Sequence, residues 1–215
     1  MVKSNLESRI LKKAIDLFFK HGFVKASIRD IVNALGVSNS AVYVYFKSKD
    51  EILLRIILEV GRELLEVLSR VNDECDDPIK CLGRMIYEQI CFSMKEYKRT
   101  KIYIEEQYQL PGALKRIATK QHRRIYDFYY NKICEIDKAG LLWSGADKTV
   151  MTFSIFANMN WVYRWFRPNG YLSVEDIANQ IVDISYKAIL NVRVDELNRY
   201  EKSSTNDMIR FGKGD

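Results

Sequence analysis

Between Ser27 and Phe46 the chain runs SIRDIVNALGVSNSAVYVYF, and this run constrains the fold more than any other. Ile28, Ile31, Val32 and Leu35 recur at helical spacing and define one apolar face. Val37, Val42 and Tyr45 continue the apolar set beyond Gly36. Gly36 stands where a tight turn between two helices needs a residue that tolerates positive φ. Ser27 and Ser38 precede the two segments, where a hydroxyl can accept from the open N–H groups of a first helical turn. The pattern predicts a helix-turn-helix over 27–46, whose second helix, Ser38 to Phe46, would enter the major groove of DNA.

The flanks extend the helical reading. Ile10, Leu11, Ala14, Ile15, Leu17, Phe18 and Phe19 predict a first helix ending at His21-Gly22, with glycine as C-cap and histidine near the negative helix end. Ser48 with Glu51 predicts a capping box opening a long fourth helix. Beyond it, glycine and proline are sparse and no strand-like alternation appears. The spacing predicts helices near 49–72, 78–97, 100–109, 112–138, 146–166 and 173–193, the last opened by Ser173 with Asp176. The expected fold is all-α. A three-helix DNA-binding head spans 1–50, a helical effector-binding and dimerisation body spans 51–200, and 201–215 is a frayed polar tail. No interdomain linker separates head from body, so the fourth helix is placed to transmit strain.

Charge follows the same division. The net charge is +6, and residues 1–50 hold nine Lys/Arg against four acids, so +5 of it lies in the head. That is where a phosphate backbone would dock.

The run ILKKAIDLFFKHGFVKASIRDIVNALGVSNSAVYVYFKSKDEIL resembles the N-terminal domain of the TetR family of bacterial one-component regulators, without a gap from Ile10 to Leu54. The resemblance rests on the F-x-x-H/K-G-F turn, the hydroxyl-Ile-Arg-Asp-Ile run, the G-V-S turn and Y-x-Y-F-K-S-K-[DE]-E together. Val32 departs from the usual alanine at the contact between the two helices, which implies slightly altered packing. Asn39-Ser40-Ala41-Val42 replaces a common Lys-Gly-Thr-Leu, which implies altered base reading. Asn158 to Ser173, NMNWVYRWFRPNGYLS, is similar to the C-terminal segment of TetR-family repressors of fatty-acid and sterol-ring degradation that respond to acyl-CoA thioesters.

The second helix carries no charged side chain, so base reading and phosphate clamping are expected from different segments. Asn39, Ser40 and Val44 are the candidates for base edges, since asparagine pairs bidentately with adenine and a valine methyl meets a thymine methyl. The resemblance implies phosphate contacts from Tyr43, Lys49 and the hydroxyl and N–H of Ser27. Ser38 and Lys47 complete the candidate surface. Arg29 is either a DNA contact or the ion-pair partner of Asp30 or a neighbour. Tyr45 and Phe46 are expected to pack inward.

In the body, Phe153, Ile155, Phe156, Met159, Trp161, Val162, Trp165 and Phe166 nearly surround one helix, while Ile177, Ile181, Val182, Ile184, Ile189 and Leu190 line the next. Apolar coverage of that width predicts burial on several sides, including a homodimer seam that would set two heads on a palindromic operator. The many body aromatics suit a semi-polar cavity. Tyr103, Gln107, Tyr126, Asn158 and Trp161 are its candidate ligand contacts. Arg116, Lys120 and Arg123 share one helix side and suit a nucleotide phosphate such as that of coenzyme A. The expected function is a transcriptional repressor released by a small-molecule effector, an acyl-CoA thioester by resemblance. A lipophilic or aromatic effector, or a ligand-independent DNA binder, are the alternatives.

Enzymatic chemistry is not expected. His21 and His122 lie far apart, and no G-x-S-x-G, phosphate loop, zinc spacing or dinucleotide-binding glycine pattern occurs. No metal or cofactor is expected either. Cys75, Cys81, Cys91 and Cys134 lack C-x-x-C spacing and are expected as reduced thiols. Without a secretory leader or an apolar run long enough to span a bilayer, the expected location is the cytoplasm and no membrane partner is expected.

Overall fold

The computed structural model describes residues 2–143, 145 and 147–190, with side chains from residue 6 onward; the expected tail and the end of the expected body, 191–200, lie outside them. The elements in order are α1 (Val2–His21), α2 (Ile28–Leu35), α3 (Asn39–Tyr43), α4 (Lys49–Asp73), α5 (Pro78–Lys95), α6 (Tyr97–Glu105), a 3₁₀ turn (Gln107–Gln109), α7 (Gly112–Lys138), α8 (Lys148–Trp165) and α9 (Val174–Ile189). Strand pairing among the described residues is one isolated bridge between Leu142 and Leu190.

Local chemistry sets the boundaries. Gly22 adopts φ 78° and its N–H donates to Phe18 O at 2.9 Å, which ends α1. Gly36 is left-handed (φ 63°, ψ 36°) and closes α2, while Val37 N–H returns to Val32 O at 3.3 Å. That pairing is a Schellman-type closure, whose left-handed position favours glycine. Ser27 and Ser173 both form full capping boxes, with Asp30 and Asp176. Ser48 caps α4, but Glu51 reaches past it to the N–H of Lys47 at 2.7 Å, so the expected reciprocal box there is only half formed.

Two elements differ from expectation. α3 has five residues instead of nine, because Phe46 turns into the core and the chain must extend at Ser48 to enter α4. The expected 100–109 helix divides into α6 and the 3₁₀ turn. Leu110 precedes Pro111 and is held extended (φ −64°, ψ 133°), which bars a continuous helix into α7.

Two apolar cores stack along α4. The head core joins Ile10, Ala14, Phe18, Ile31, Val42 and Phe46 to Ile52, Leu53, Ile56 and Ile57 of α4, and admits Ile102, Leu110 and Ala118 from α6, its following loop and α7. The body core begins at Leu64 of the same helix and gathers α5, α7, α8 and α9 around it. At its centre Tyr129 is fully enclosed, and its hydroxyl donates to Gln89 Oε1 at 2.8 Å, with Met85 O 3.1 Å away. Burial raises this phenol well above its ordinary range, so it stays a donor.

α6 links the two cores. Lys98 pairs with Asp16 of α1 at 2.6 Å, and Phe19 meets Tyr97 edge-on at 5.6 Å. Arg99 forks onto Glu63 of α4 at 2.8 and 2.9 Å.

Candidate DNA-reading surface and effector groove

α3 presents an uncharged outer surface. Val42 is fully buried, and Asn39, Ser40, Tyr43 and Val44 are all exposed. Ser38 caps the helix by accepting from Ala41 N–H at 3.2 Å, and its hydroxyl lies 2.8 Å from that of Ser40. Ser38 and Ser40 therefore share one hydroxyl pair beside Asn39. Val32, the departure from alanine, is buried against this motif. Lys47 and Arg29 are exposed cations on either side, and neither forms an ion pair among the described residues. Asp30, the alternative partner of Arg29, is instead taken up by Ser27.

Ser27 and Lys49 are placed differently from the phosphate contacts expected of them. Both the N–H and the hydroxyl of Ser27 donate to Asp30 Oδ2, at 2.8 and 2.7 Å. These hydrogen bonds lower the Asp30 carboxyl below its ordinary range, so the same turn carries a fixed negative charge. The Lys49 ammonium donates to the carbonyls of Phe23 (2.8 Å), Val24 (3.3 Å) and Ala26 (2.8 Å), and lies 4.3 Å over the Phe23 ring. Its charge is occupied in holding the turn before α2.

In the body, an open groove of about 810 Å³ lies between α6 with its 3₁₀ turn and α8. Ile104, Tyr108, Phe153, Phe156, Ala157 and Trp161 make its apolar surface; Asn160, Tyr163, Glu105 and Arg164 supply polar groups. Glu105 Oε1 accepts from Tyr163 Oη at 2.8 Å and Arg164 Nη2 at 3.0 Å. Burial, with the Glu105 charge adding to it, raises the Tyr163 phenol despite the opposing guanidinium of Arg164. A second groove of about 750 Å³ between α4 and α7 is lined mainly by charged pairs, Arg55 with Glu59 and Arg62 with Glu66, and by Gln121 and Arg124.

The candidate ligand residues divide around this geometry. Trp161 lines the first groove. Tyr126 stacks on Tyr130 at 5.5 Å and touches Phe153 at 5.4 Å, which puts it beside the groove wall. Arg123 lies over Tyr126 at 4.8 Å and pairs with Asp127, one turn further on, at 2.8 Å, so an acid partly offsets this basic side. Arg116 and Lys120 are exposed on the same helix. Gln107 donates to Ile104 O at 3.3 Å. Tyr103 is turned away from the groove, edge-on to His122 at 4.6 Å, where burial lowers the imidazole to about 4. Asn158 does not line the groove and is exposed in a row with Val150, Ser154, Trp161 and Trp165. Asn160 and Arg164 fall within the 158–173 segment that carries the C-terminal resemblance, though neither is singled out there as a ligand contact, and the sequence offers no signal for Glu105. Glu105 and Arg164 are 59 positions apart and meet only when α6 packs on α8.

Burial raises Cys81 to about 11 and Cys91 to about 12, which suppresses the reactive thiolate at neutral pH. No group of three or more metal-ligating side chains occurs among the described residues. No helix there is long and apolar enough to cross a membrane.

Comparison with known proteins agrees with the geometry. Residues 10–56 match the bacterial regulatory proteins of the tetR family, and residues 75–189 match the tetracyclin repressor-like C-terminal domain. The repressor KstR2 of Rhodococcus jostii is 26% identical over 188 residues, covering 85% of this chain and 90% of that protein. The regulator YerO of Bacillus subtilis is 27% identical over 133 residues, but the match spans only 43% of its length. Among solved structures, AibR in complex with isovaleryl coenzyme A and operator DNA superposes with a TM-score of 0.76 at 26% identity, covering 83% of this chain and 96% of that one. With both the reading head and most of the body matched, the chain belongs to the TetR family of bacterial transcriptional regulators.

Proposed function

We propose that this chain is a homodimeric, operator-binding repressor released by an acyl-CoA thioester, and that it acts in the cytoplasm and has no enzymatic activity. Residues 1–50 would read DNA and 51–200 would bind effector and dimerise. Asn39, Ser40 and Val44 would meet base edges; Tyr43, Lys47, Arg29 and the Ser38 hydroxyl would contact the surrounding backbone. The row Val150, Ser154, Asn158, Trp161 and Trp165 keeps the 4-4-3-4 spacing of a helix seam and is exposed in the single chain. A second copy would cover it and hold two heads about 34–36 Å apart on an inverted repeat.

The α6–α8 groove carries the effector assignment. Its apolar surface suits an acyl chain, and Lys115 over Tyr108 and Arg123 over Tyr126 place cations at the edge for the phosphates of coenzyme A. AibR, with isovaleryl coenzyme A bound, supports the same class. The test uses an inverted-repeat duplex selected from a random library, with isovaleryl-CoA, longer acyl-CoAs, free CoA and the free acids as probes. Thermal stabilisation and operator release by an acyl-CoA, with neither from the acids, is the expected result. The stacked Tyr126–Tyr130 pair and its Phe153 contact would equally hold an uncharged aromatic effector. Stabilisation by such molecules and not by any thioester would favour that reading.

A further inference from the structure

Glu105 and Glu106 are consecutive, yet they bind opposite parts of the molecule. Glu105 closes the groove side through Tyr163 and Arg164 of α8. Glu106 Oε1 accepts from the backbone N–H of Phe23 at 3.1 Å, 83 positions earlier in the chain. Phe23 opens the turn that leads into the capping box of α2. Its carbonyl is held from the other side by Lys49, the first residue of α4. One residue of the head is thus suspended between the start of α4 and the end of α6. Gly22, with φ 78°, adjoins the same carboxylate: a Cβ built on it would lie 3.6 Å from Glu106 Oε1.

We infer that the Glu105–Glu106 pair is a relay, in which Glu106 is the positioning residue that sets the attitude of the reading head according to what Glu105 holds in the groove. The inference rests on the groove being the effector site. A ligand that displaces Arg164 or Tyr163 frees the end of α6, and a shift there is delivered one peptide away to Phe23. Rigid attachment makes this effective: α6 is also tied to α1 by Lys98–Asp16 and to α4 by Arg99–Glu63, so its last residue cannot move without loading the turn. Coupling of this kind needs a packed element whose position both sites bias.

The test uses the full-length protein with Glu106→Ala, Glu106→Gln and Arg164→Leu. Hydrogen exchange reads the Phe23 amide directly, without DNA or effector. Binding to selected duplexes with half-site spacing varied base pair by base pair reads the attitude of the heads. Glu106→Ala is expected to speed Phe23 exchange at least tenfold. It should lower affinity at the best spacing about fivefold relative to its neighbours, with single half-site binding unchanged. Glu106→Gln keeps an acceptor oxygen and is expected to restore both. Arg164→Leu, acting from the groove side, is expected to speed Phe23 exchange two- to fivefold. Unchanged exchange in Glu106→Ala or in Arg164→Leu overturns the relay, as does an equal loss at all spacings and on half-sites. If the wild-type chain shows no salt-sensitive preference for inverted repeats, the regulatory reading fails, and the exchange arm still decides the relay.

Discussion

Gln121 of α7 lies across α4 at Gly61: its Nε2 donates to Leu58 O at 2.9 Å, and a Cβ at position 61 would collide with its Oε1. The glycine is there to admit a side chain from another helix. Gly61→Ala should add about 0.5–1 kcal/mol of helix preference and lose a hydrogen bond of about 0.5–1.5 kcal/mol, for little net change. In a Gln121→Ala background the same substitution should stabilise by about 0.5–1 kcal/mol. Urea denaturation of the four proteins measures the coupling, and an identical effect of Gly61→Ala in both backgrounds would refute it.

The division of labour on the DNA surface gives a second prediction. Asn39→Ala should cost about 1–3 kcal/mol at one base pair and relax specificity there. Lys47→Ala should weaken binding to all sequences alike and reduce the salt slope by about 1. Competition binding against single-site operator variants at several salt concentrations separates the two, and a uniform loss from both would reject the division.

Lys49→Met keeps the aliphatic stem near the Phe23 ring and removes the donors to three carbonyls. Hydrogen bonds from a charged donor contribute about 1.5–3 kcal/mol in total at a half-buried site of this kind. The expected outcome is a lowered thermal midpoint for the head, with the salt slope of DNA binding nearly unchanged. A slope reduced as much as by Lys47→Ala would return Lys49 to the phosphate-binding set.

His122 supplies a pH dependence. Its folded-state imidazole is lowered to about 4 by burial, and Nε2 is enclosed without a hydrogen-bond partner. An unfolded histidine titrates near 6.5, so between about 6.5 and 4 the unfolded chain binds more protons. Stability therefore falls as pH drops through that window, by up to about 3 kcal/mol from this group. His122→Gln should flatten the stability profile between pH 6.5 and 5; a profile parallel to wild type would show that the ring titrates normally.

The seam on α8 predicts assembly. Trp165→Glu should place a charge at the end of the exposed row and convert the dimer to monomer in sedimentation, with loss of inverted-repeat preference. A dimer of unchanged affinity would put the interface elsewhere.

Local periodicity makes the helices legible in the sequence alone. The 3.6-residue recurrence of apolar side chains, Gly36 and the serine caps are all short-range, and α2, α4, α7 and α9 lie close to where that recurrence places them. The outward character of Asn39 and Ser40 was legible for the same reason, since an apolar face on one side of α2–α3 leaves the other side to solvent. Where a local signal competed with a neighbour, it misled: Glu51 caps through Lys47 N–H, and α3 ends early because Phe46 enters the core.

The sequence by itself determined an all-helical chain with a basic reading head and uncharged short helix, because those features depend on spacing and on charges within one segment. Only the tertiary structure decided that Lys49 holds a turn, that Glu105 meets Arg164, and that Glu106 reaches Phe23. Each of these joins segments well separated along the chain, and the direction a side chain takes between two packed segments is set by the contact surface, which no spacing along the chain encodes.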